Sequence, residues 1–171
     1  MSIENAENQI FSGLILLTGE DKPGLANSFF EALSPFAVSI IDIDQIIISG
    51  RLILTAQISL NQAHQGAIED DLVQLSEGLG IDIACVFGQT DLPASMNHDV
   101  KLTVSAPKML PRYLNLVTST VLSAGGNILR FNRISLSPMV IEVDISGASA
   151  SALQKAISSL ELDPDLKISL S

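Results

Sequence analysis

The chain has 171 residues, 47% of them apolar and 16% charged, a composition that folds and a length that allows one medium domain or two small ones. Nineteen acidic residues against nine basic give a net charge of −10, which argues against a phosphate-backbone partner such as nucleic acid. One cysteine and two histidines rule out an internal disulfide and leave too few ligands for a cysteine- or histidine-rich metal site, so no metal or cofactor is expected.

No stretch approaches the ~20 uninterrupted apolar residues of a membrane span. Met1 to Ile10 is polar and acidic, without the basic start of a secretory leader. These features predict a soluble cytoplasmic chain with no membrane partner. Residues 1–95 carry 13 acidic and 2 basic side chains, whereas residues 96–171 carry 6 and 7. The change falls at Thr90-Asp91-Leu92-Pro93-Ala94-Ser95, which reads as a linker between domains at 10–90 and 97–171.

Residues 12–18 read as a buried strand, and Gly19 to Gly24 as a turn. Pro23 suits a first helical position, which would put Asp21 or Lys22 at the cap. Leu25, Phe29, Leu33 and Phe36 share one helical face, and Ser34-Pro35 ends the helix. Val38 to Ser49 is isoleucine-rich and strand-like, Ser49-Gly50-Arg51 is a hairpin turn, and Leu52 to Leu60 forms the next strand. Asn61 caps a second helix with Ile68, Leu72, Leu75 and Leu79 on one face, and Gly80 ends it. Ile81 to Phe87 alternates as a last strand.

The order is β-α-β-β-α-β, a ferredoxin-like unit. Shifted by 88 residues the pattern returns: Leu14 meets Leu102, Leu16 meets Val104, Pro23 meets Pro111, Leu25 meets Tyr113, Phe29 meets Val117 and Leu33 meets Val121. Val38-Ser39-Ile40 meets Gly126-Asn127-Ile128. A strand at Met139 to Ile145, a helix at Ala150 to Leu160 and a strand at Leu166 to Leu170 complete the second copy. The predicted fold class is α+β: two tandem βαββαβ domains, each an antiparallel sheet with helices on one face.

Gly-x-Asp-x-Pro-Gly-Leu at 19–25, then a helix, then Val-Ser-Ile-Ile-Asp-Ile-Asp-Gln at 38–45, resembles an ACT domain, an amino-acid-sensing module. The run from Asp21 to Leu52, with Gly126-Asn127-Ile128, Arg130 and Ile134, is similar to the tandem ACT region of bacterial SerB-type phosphoserine phosphatases. The second repeat keeps Pro111 but not the Pro-Gly pair. The resemblance implies a sensor in serine biosynthesis, with L-serine as favoured ligand. In that family a haloacid-dehalogenase-type phosphatase domain follows the repeats, so the chain reads as a regulatory region or a free-standing sensor, not itself an enzyme.

The Gly19–Gly24 turn is the best candidate for chemistry. A helix N-terminus offers backbone N–H groups to a ligand carboxylate, and Asp21 can take the ammonium or cap the helix. Gly24 would let backbone approach the ligand where a Cβ would obstruct it. Beside them stands Leu25. The resemblance implies that Ser39, its neighbour Ile40, and Asn127 contact ligand across a domain pair; the plain alternative is strand-entry turn chemistry.

Asp42-Ile43-Asp44 superficially fits the nucleophile and acid/base pair of a phosphatase. Ile46-Ile47-Ile48 continues as strand where that motif needs a loop with Gly-Thr, and no magnesium-ligand constellation follows, so a solvated or charge-paired strand face is the better reading. Glu69-Asp70-Asp71 reads as a solvated helix face, His64 as a surface residue and Cys85 as a buried structural thiol. Three readings compete: an amino-acid-binding regulator, an assembly module that binds nothing, and a small Asp-dependent phosphatase. A homodimer is expected, because each small sheet leaves an edge or a face to cover. Asp42 and Asp44 correspond to Arg130 and Asn132, so an acidic strand could pair with a basic one within the chain or across a dimer.

Overall fold

The computed structural model describes residues 9–91 and 100–171. The chain divides into two compact units, one on either side of the junction between residues 94 and 95. Thr90 and Asp91 end a strand, and the rest of the expected linker, 92–95, lies outside the described residues. No helix among the described residues is long and apolar enough to cross a membrane.

Unit 1 runs β1 (Gln9–Glu20), α1 (Leu25–Leu33), β2 (Ser39–Ile48), β3 (Arg51–Ser59), α2 (Gln65–Leu79) and β4 (Asp82–Asp91), with a short 3-10 turn, Gln62–His64, before α2. The four strands form one antiparallel sheet in the order β2-β3-β1-β4. Period-two alternation sends Ile15 and Leu17 of β1, and Leu52, Leu54, Ala56 and Ile58 of β3, to one face. There they join Leu25, Phe29 and Leu33 of α1 and Ile68 and Leu72 of α2 in a single core. Both helices therefore cover the same face, while Leu14, Leu16 and Val86 stand exposed on the other.

Local chemistry explains the boundaries. Asn61 accepts a hydrogen bond from the Ala63 N–H and so starts the 3-10 turn. Gly80 ends α2 in the left-handed region at φ 63°. Ser49 and Gly50, at φ 50° and 75°, form the two-residue turn whose twist matches the β2–β3 hairpin. Two helix-face expectations need correction. Phe36 lies beyond the end of α1 but still packs on the core, and Leu79 in the last turn of α2 is exposed.

Unit 2 repeats the order as β5 (Val100–Ala106), α3 (Pro111–Ser123), β6 (Asn127–Leu136), β7 (Met139–Ser146), α4 (Ala150–Ser158) and β8 (Lys167–Leu170). Its sheet runs β6-β7-β5-β8, again antiparallel throughout. A second core contains Leu102 and Val104 with Val117, Val121, Leu153 and Ile157.

The 88-residue offset holds for the helices: Leu25, Phe29 and Leu33 match Tyr113, Val117 and Val121, all buried. It holds for the first edge strands too, where a bulge at Ile41 recurs at Leu129. It fails in the first strands. Leu14 and Leu16 are exposed, whereas Leu102 and Val104 are buried, so their counterparts are Ile15 and Leu17 at an offset of 87. One extra residue precedes α3; the second hairpin then has one residue fewer between Arg133 and Ile141 than the first has between Gln45 and Leu54, a lost pair outweighing the bulge at Ile134, so β7 is back at an offset of 87. In a strand a slip of one residue exchanges the two faces, so a constant offset assigns the wrong side.

Phe29 is fully buried at the centre of unit 1. Phe29→Ala is expected to cost about 3–5 kcal/mol there. Amide hydrogen exchange should show faster exchange across β1 and β3 with β5 and β7 little changed.

Candidate functional site

β1 is hydrogen-bonded on both sides and ends at Glu20, so Gly19 and Glu20 are strand residues and the turn is shorter than the sequence predicts. The Asp21 N–H donates to the Gly50 carbonyl at 2.8 Å, which ties the turn to the β2–β3 hairpin. The Leu25 N–H donates to the Lys22 carbonyl at 3.3 Å, and the Ser28 N–H to the Gly24 carbonyl at 2.9 Å. Gly24, at φ 91°, is therefore the N-cap of α1, and Pro23 precedes the cap instead of opening the helix. Neither Asp21 nor Lys22 caps it; no side chain does, and the first turn holds no acidic residue. The first turn of α1 itself supplies no anion to its positive end.

The opposite wall comes from the α2–β4 connection. The Ile81 N–H donates to the Ser76 carbonyl at 3.1 Å, and the Ser76 hydroxyl donates to the Ile81 carbonyl at 2.6 Å. This double latch sets Ile81 against β1. Gly19 makes the approach possible, since a Cβ there would stand 2.5 Å from Ile81 Cγ2.

Between these walls lies a cleft of about 230 Å³, lined by Glu20, Lys22, Pro23, Gly24, Leu25 and Ser28 on one side and Leu79, Gly80 and Ile81 on the other. Lys22 Nζ lies 3.0 Å from Glu20 Oε2, with both side chains more than half exposed. An ion pair this open contributes only ~0–1 kcal/mol. A ligand that presents both signs of charge can replace it at little cost.

Of the residues singled out in the sequence, Gly24 and Leu25 line the cleft and Gly19 shapes it from behind. Asp21 is exposed beside it but is not part of its wall. Ser39 and Ile40 sit at the far end of the sheet: Ser39 pairs with Ser59 and Ser59 with Ser12, whereas Glu20 pairs with Arg51 and Arg51 with Ile48. The unit does not bring them to the turn. Asn127 opens β6 in unit 2 and is exposed. The reason for Gly24 also changes: a Cβ there would meet nothing within 4 Å, so the positive φ, not a close approach, requires glycine. Sequence reasoning missed Glu20 and Lys22, although their opposite charges flank the predicted turn, and missed Ser28 on the helix's second face.

The competing motifs resolve on local geometry. Asp42 and Asp44 are exposed on the edge strand β2, facing away from the helices opposite Gln57 and Thr55, and the strand continues to Ile48. Asp42 Oδ1 accepts from the Ile43 N–H at 2.8 Å. Among the described residues no group of three His, Cys, Asp or Glu could hold a metal ion. Asp70 is exposed, while Glu69 and Asp71 are half-buried, with Glu69 accepting from Gln65. His64, expected at the surface, is half-buried beside the Phe36 ring. Cys85 is half-buried rather than fully buried, and desolvation followed by the Glu69 carboxylate pushes its thiol pKa up, which disfavours the nucleophilic thiolate.

Residues 13–86 match the profile of the ACT domain family. The phosphoserine phosphatase SerB2 of Mycobacterium tuberculosis is 37% identical over 84 residues, 48% of this chain and 20% of that protein. The phosphoserine phosphatase of Streptomyces coelicolor is 23% identical over 147 residues, 84% of this chain and 36% of that protein. The chain thus spans well under half the length of these relatives. Among solved structures, a putative glycine cleavage system transcriptional repressor superposes with a TM-score of 0.72 at 18% identity, covering 94% of this chain and 96% of its own. A protein from Galdieria sulphuraria gives 0.69 at 17%, covering 95% and 98%. These two likenesses establish the fold.

Gly19 and Gly24 are glycines for different reasons, and a stability cycle separates them. Gly24→Ala should cost about 1–2 kcal/mol from backbone conformation alone. Gly19→Ala should cost about 1–3 kcal/mol from overpacking against Ile81. In urea unfolding, adding Ile81→Ala should offset part of the Gly19→Ala loss and none of the Gly24→Ala loss.

Proposed function

We propose that this chain, whose residues 13–86 form an ACT domain and whose second unit repeats the fold, is a regulatory module that binds a free amino acid, with L-serine favoured, at the cleft beside α1. The observation that carries this reading is a single cleft holding a cation, an anion and an uncapped helix N-terminus. The ligand carboxylate takes the Lys22 ammonium and the first-turn N–H groups of α1, where the helix dipole favours an anion. Its ammonium takes Glu20, with Asp21 adding negative charge nearby. The Ser28 hydroxyl offers a partner to a small polar side chain. Serine is favoured because the relatives are named for phosphoserine, whose dephosphorylation yields it.

Catalysis belongs to a phosphatase domain in a longer parent chain or a partner, and the module works in the cytoplasm as a homodimer. In a dimer, antiparallel pairing of edge strands sets the start of one beside the end of the other. That pairing would carry Ser39, Ile40 or Asn127 of a second copy toward the ligand turn. A ligand gripped in this way biases one arrangement by its differential affinity for it, and so regulates an attached enzyme.

A second reading, assembly without a ligand, draws on the edge strands. On β2 Ile43, Ile46, Ile47 and Ile48 are 44–56% exposed, and on β6 Phe131, Ile134 and Leu136 are 48–67% exposed. Such edges are pairing templates.

Titration calorimetry separates the two readings. L-Serine should bind the full chain, and Glu20→Gln and Lys22→Gln should each weaken it by about tenfold or more, ~1.4 kcal/mol. Absence of heat with all twenty amino acids at roughly millimolar concentration would leave the assembly reading standing.

A further inference from the structure

The sheet of unit 1 has a second face, turned away from α1 and α2, and the strand register fixes what stands on it. Leu14 of β1 pairs with Val86 of β4, and Leu16 lies two residues further along β1. One row beyond Leu16, Ile53 of β3 pairs with Ile46 of β2, and Ile48 follows on β2. These side chains form a diagonal apolar stripe across all four strands. Val86 is 72% exposed and Leu14 54%, and Leu16, Ile46 and Ile48 are exposed as well.

Unit 2 provides the comparison within the same fold. Leu14 and Leu16 correspond there to Lys101 and Thr103. Ala84 and Val86, their partners in β4, correspond to Ser169 and Ser171. Lys101 Nζ lies 2.9 Å from Glu142 Oε1 and 3.6 Å from Asp144 Oδ1, and the Thr103 and Ser171 hydroxyls share a hydrogen bond at 2.9 Å. That is the charged and hydroxyl-bearing surface of a sheet face that meets water. The apolar stripe of unit 1 is instead a surface for contact.

The stripe has an anchor point at one end. A Cβ at Gly88 would stand in open space, so β4 leaves a gap between Val86 and Thr90. There Leu14, Gln57 and Val86 border a hollow of about 290 Å³. It has room for one large apolar side chain, the kind of buried anchor that carries most of the binding energy at an interface.

Charge selects the partner. Asp42 and Asp44 lie on one flank of the stripe and Asp82 on the other. Residues 1–95 hold thirteen acidic side chains and two basic ones. Both basic ones are engaged: Arg51 Nη2 donates to Asp82 Oδ2 at 2.9 Å, and Lys22 lies 3.0 Å from Glu20. Such a surround repels an anionic membrane and repels a second copy laid on the same face, whereas it attracts a cationic partner. From Val86 to Ile48 the stripe runs roughly 25 Å over the strand spacings and residues it crosses. A helix of about 16 residues has that length.

We propose that this open face of unit 1 docks a basic amphipathic helix of a partner protein. Apolar residues three and four apart on the helix lie along the stripe, and one large side chain fills the hollow beside Gly88. Lys or Arg on the helix flanks meets Asp42, Asp44 and Asp82. The stripe and the amino-acid cleft share no residue, so the two readings stand or fall separately.

The probe is a dye-labelled peptide of about 16 residues, with leucine along one helical face and lysine elsewhere. Its fluorescence anisotropy should rise saturably as the full chain is added. Leu14→Ser combined with Val86→Ser should raise the half-saturating concentration about tenfold or more. Both side chains are exposed, so the urea midpoint should not change. A peptide of the same composition with its leucines scattered should bind at least about tenfold more weakly, and so should one with glutamate in place of lysine. These peptide comparisons need no variant. The proposal is overturned by the absence of a saturable rise up to about 100 μM chain, by equal binding of the scattered peptide, or by an unaltered half-saturation in the double variant. It is overturned too if light scattering shows that the double variant loses a partner copy, or if phosphatidylglycerol vesicles bind the native chain and not the variant.

Discussion

In each unit the first strand is hydrogen-bonded on both sides, β1 to β3 and β4, and β5 to β7 and β8. Every other element takes its place from that strand. Its alternate residues supply the floor on which two helices pack, and its C-terminal end sets where the next helix begins. In unit 1 the strand stays paired through Glu20, so the chain must turn within Asp21 to Gly24. Only a left-handed residue completes that turn, and glycine provides it at φ 91°. The cleft follows from this geometry, because α1 starts without a side-chain cap facing the latched α2–β4 connection.

The same strand shows how far the sequence could be read. The order of elements, the tandem repeat and the helix faces apart from Phe36 and Leu79 were legible, because helical periodicity tolerates a change in turn length. The strand faces were not. Residues 14–17 are leucine or isoleucine throughout, with no polar alternation to mark which side is buried. A uniform 88-residue shift then aligned exposed Leu14 with buried Leu102. The error arose from one residue added before α3 and one lost again in the shorter β6–β7 hairpin, and neither leaves a compositional mark.

The candidate site was partly legible for a similar reason. The Pro-Gly pair marked the turn and led to Gly24 and Leu25. It did not reveal that Lys22 and Glu20 face each other across 3.0 Å, since that depends on Glu20 remaining in the strand. Ser39 was tied to the ligand only by the family resemblance, as a contact made across a domain pair. The antiparallel order places it and the turn at opposite ends of the sheet. Gly19 was the least expected: its role is to admit Ile81, a contact 62 positions away in sequence.

The central claim is that an amino acid enters the cleft between the start of α1 and the α2–β4 connection. Amide-resolved NMR of the full chain during an L-serine titration tests it most directly. The account predicts saturable shifts centred on Glu20, Lys22, Gly24, Leu25, Ser28, Gly80 and Ile81. Shifts centred instead on the β2 edge, or a spectrum unchanged at saturating serine, would contradict it.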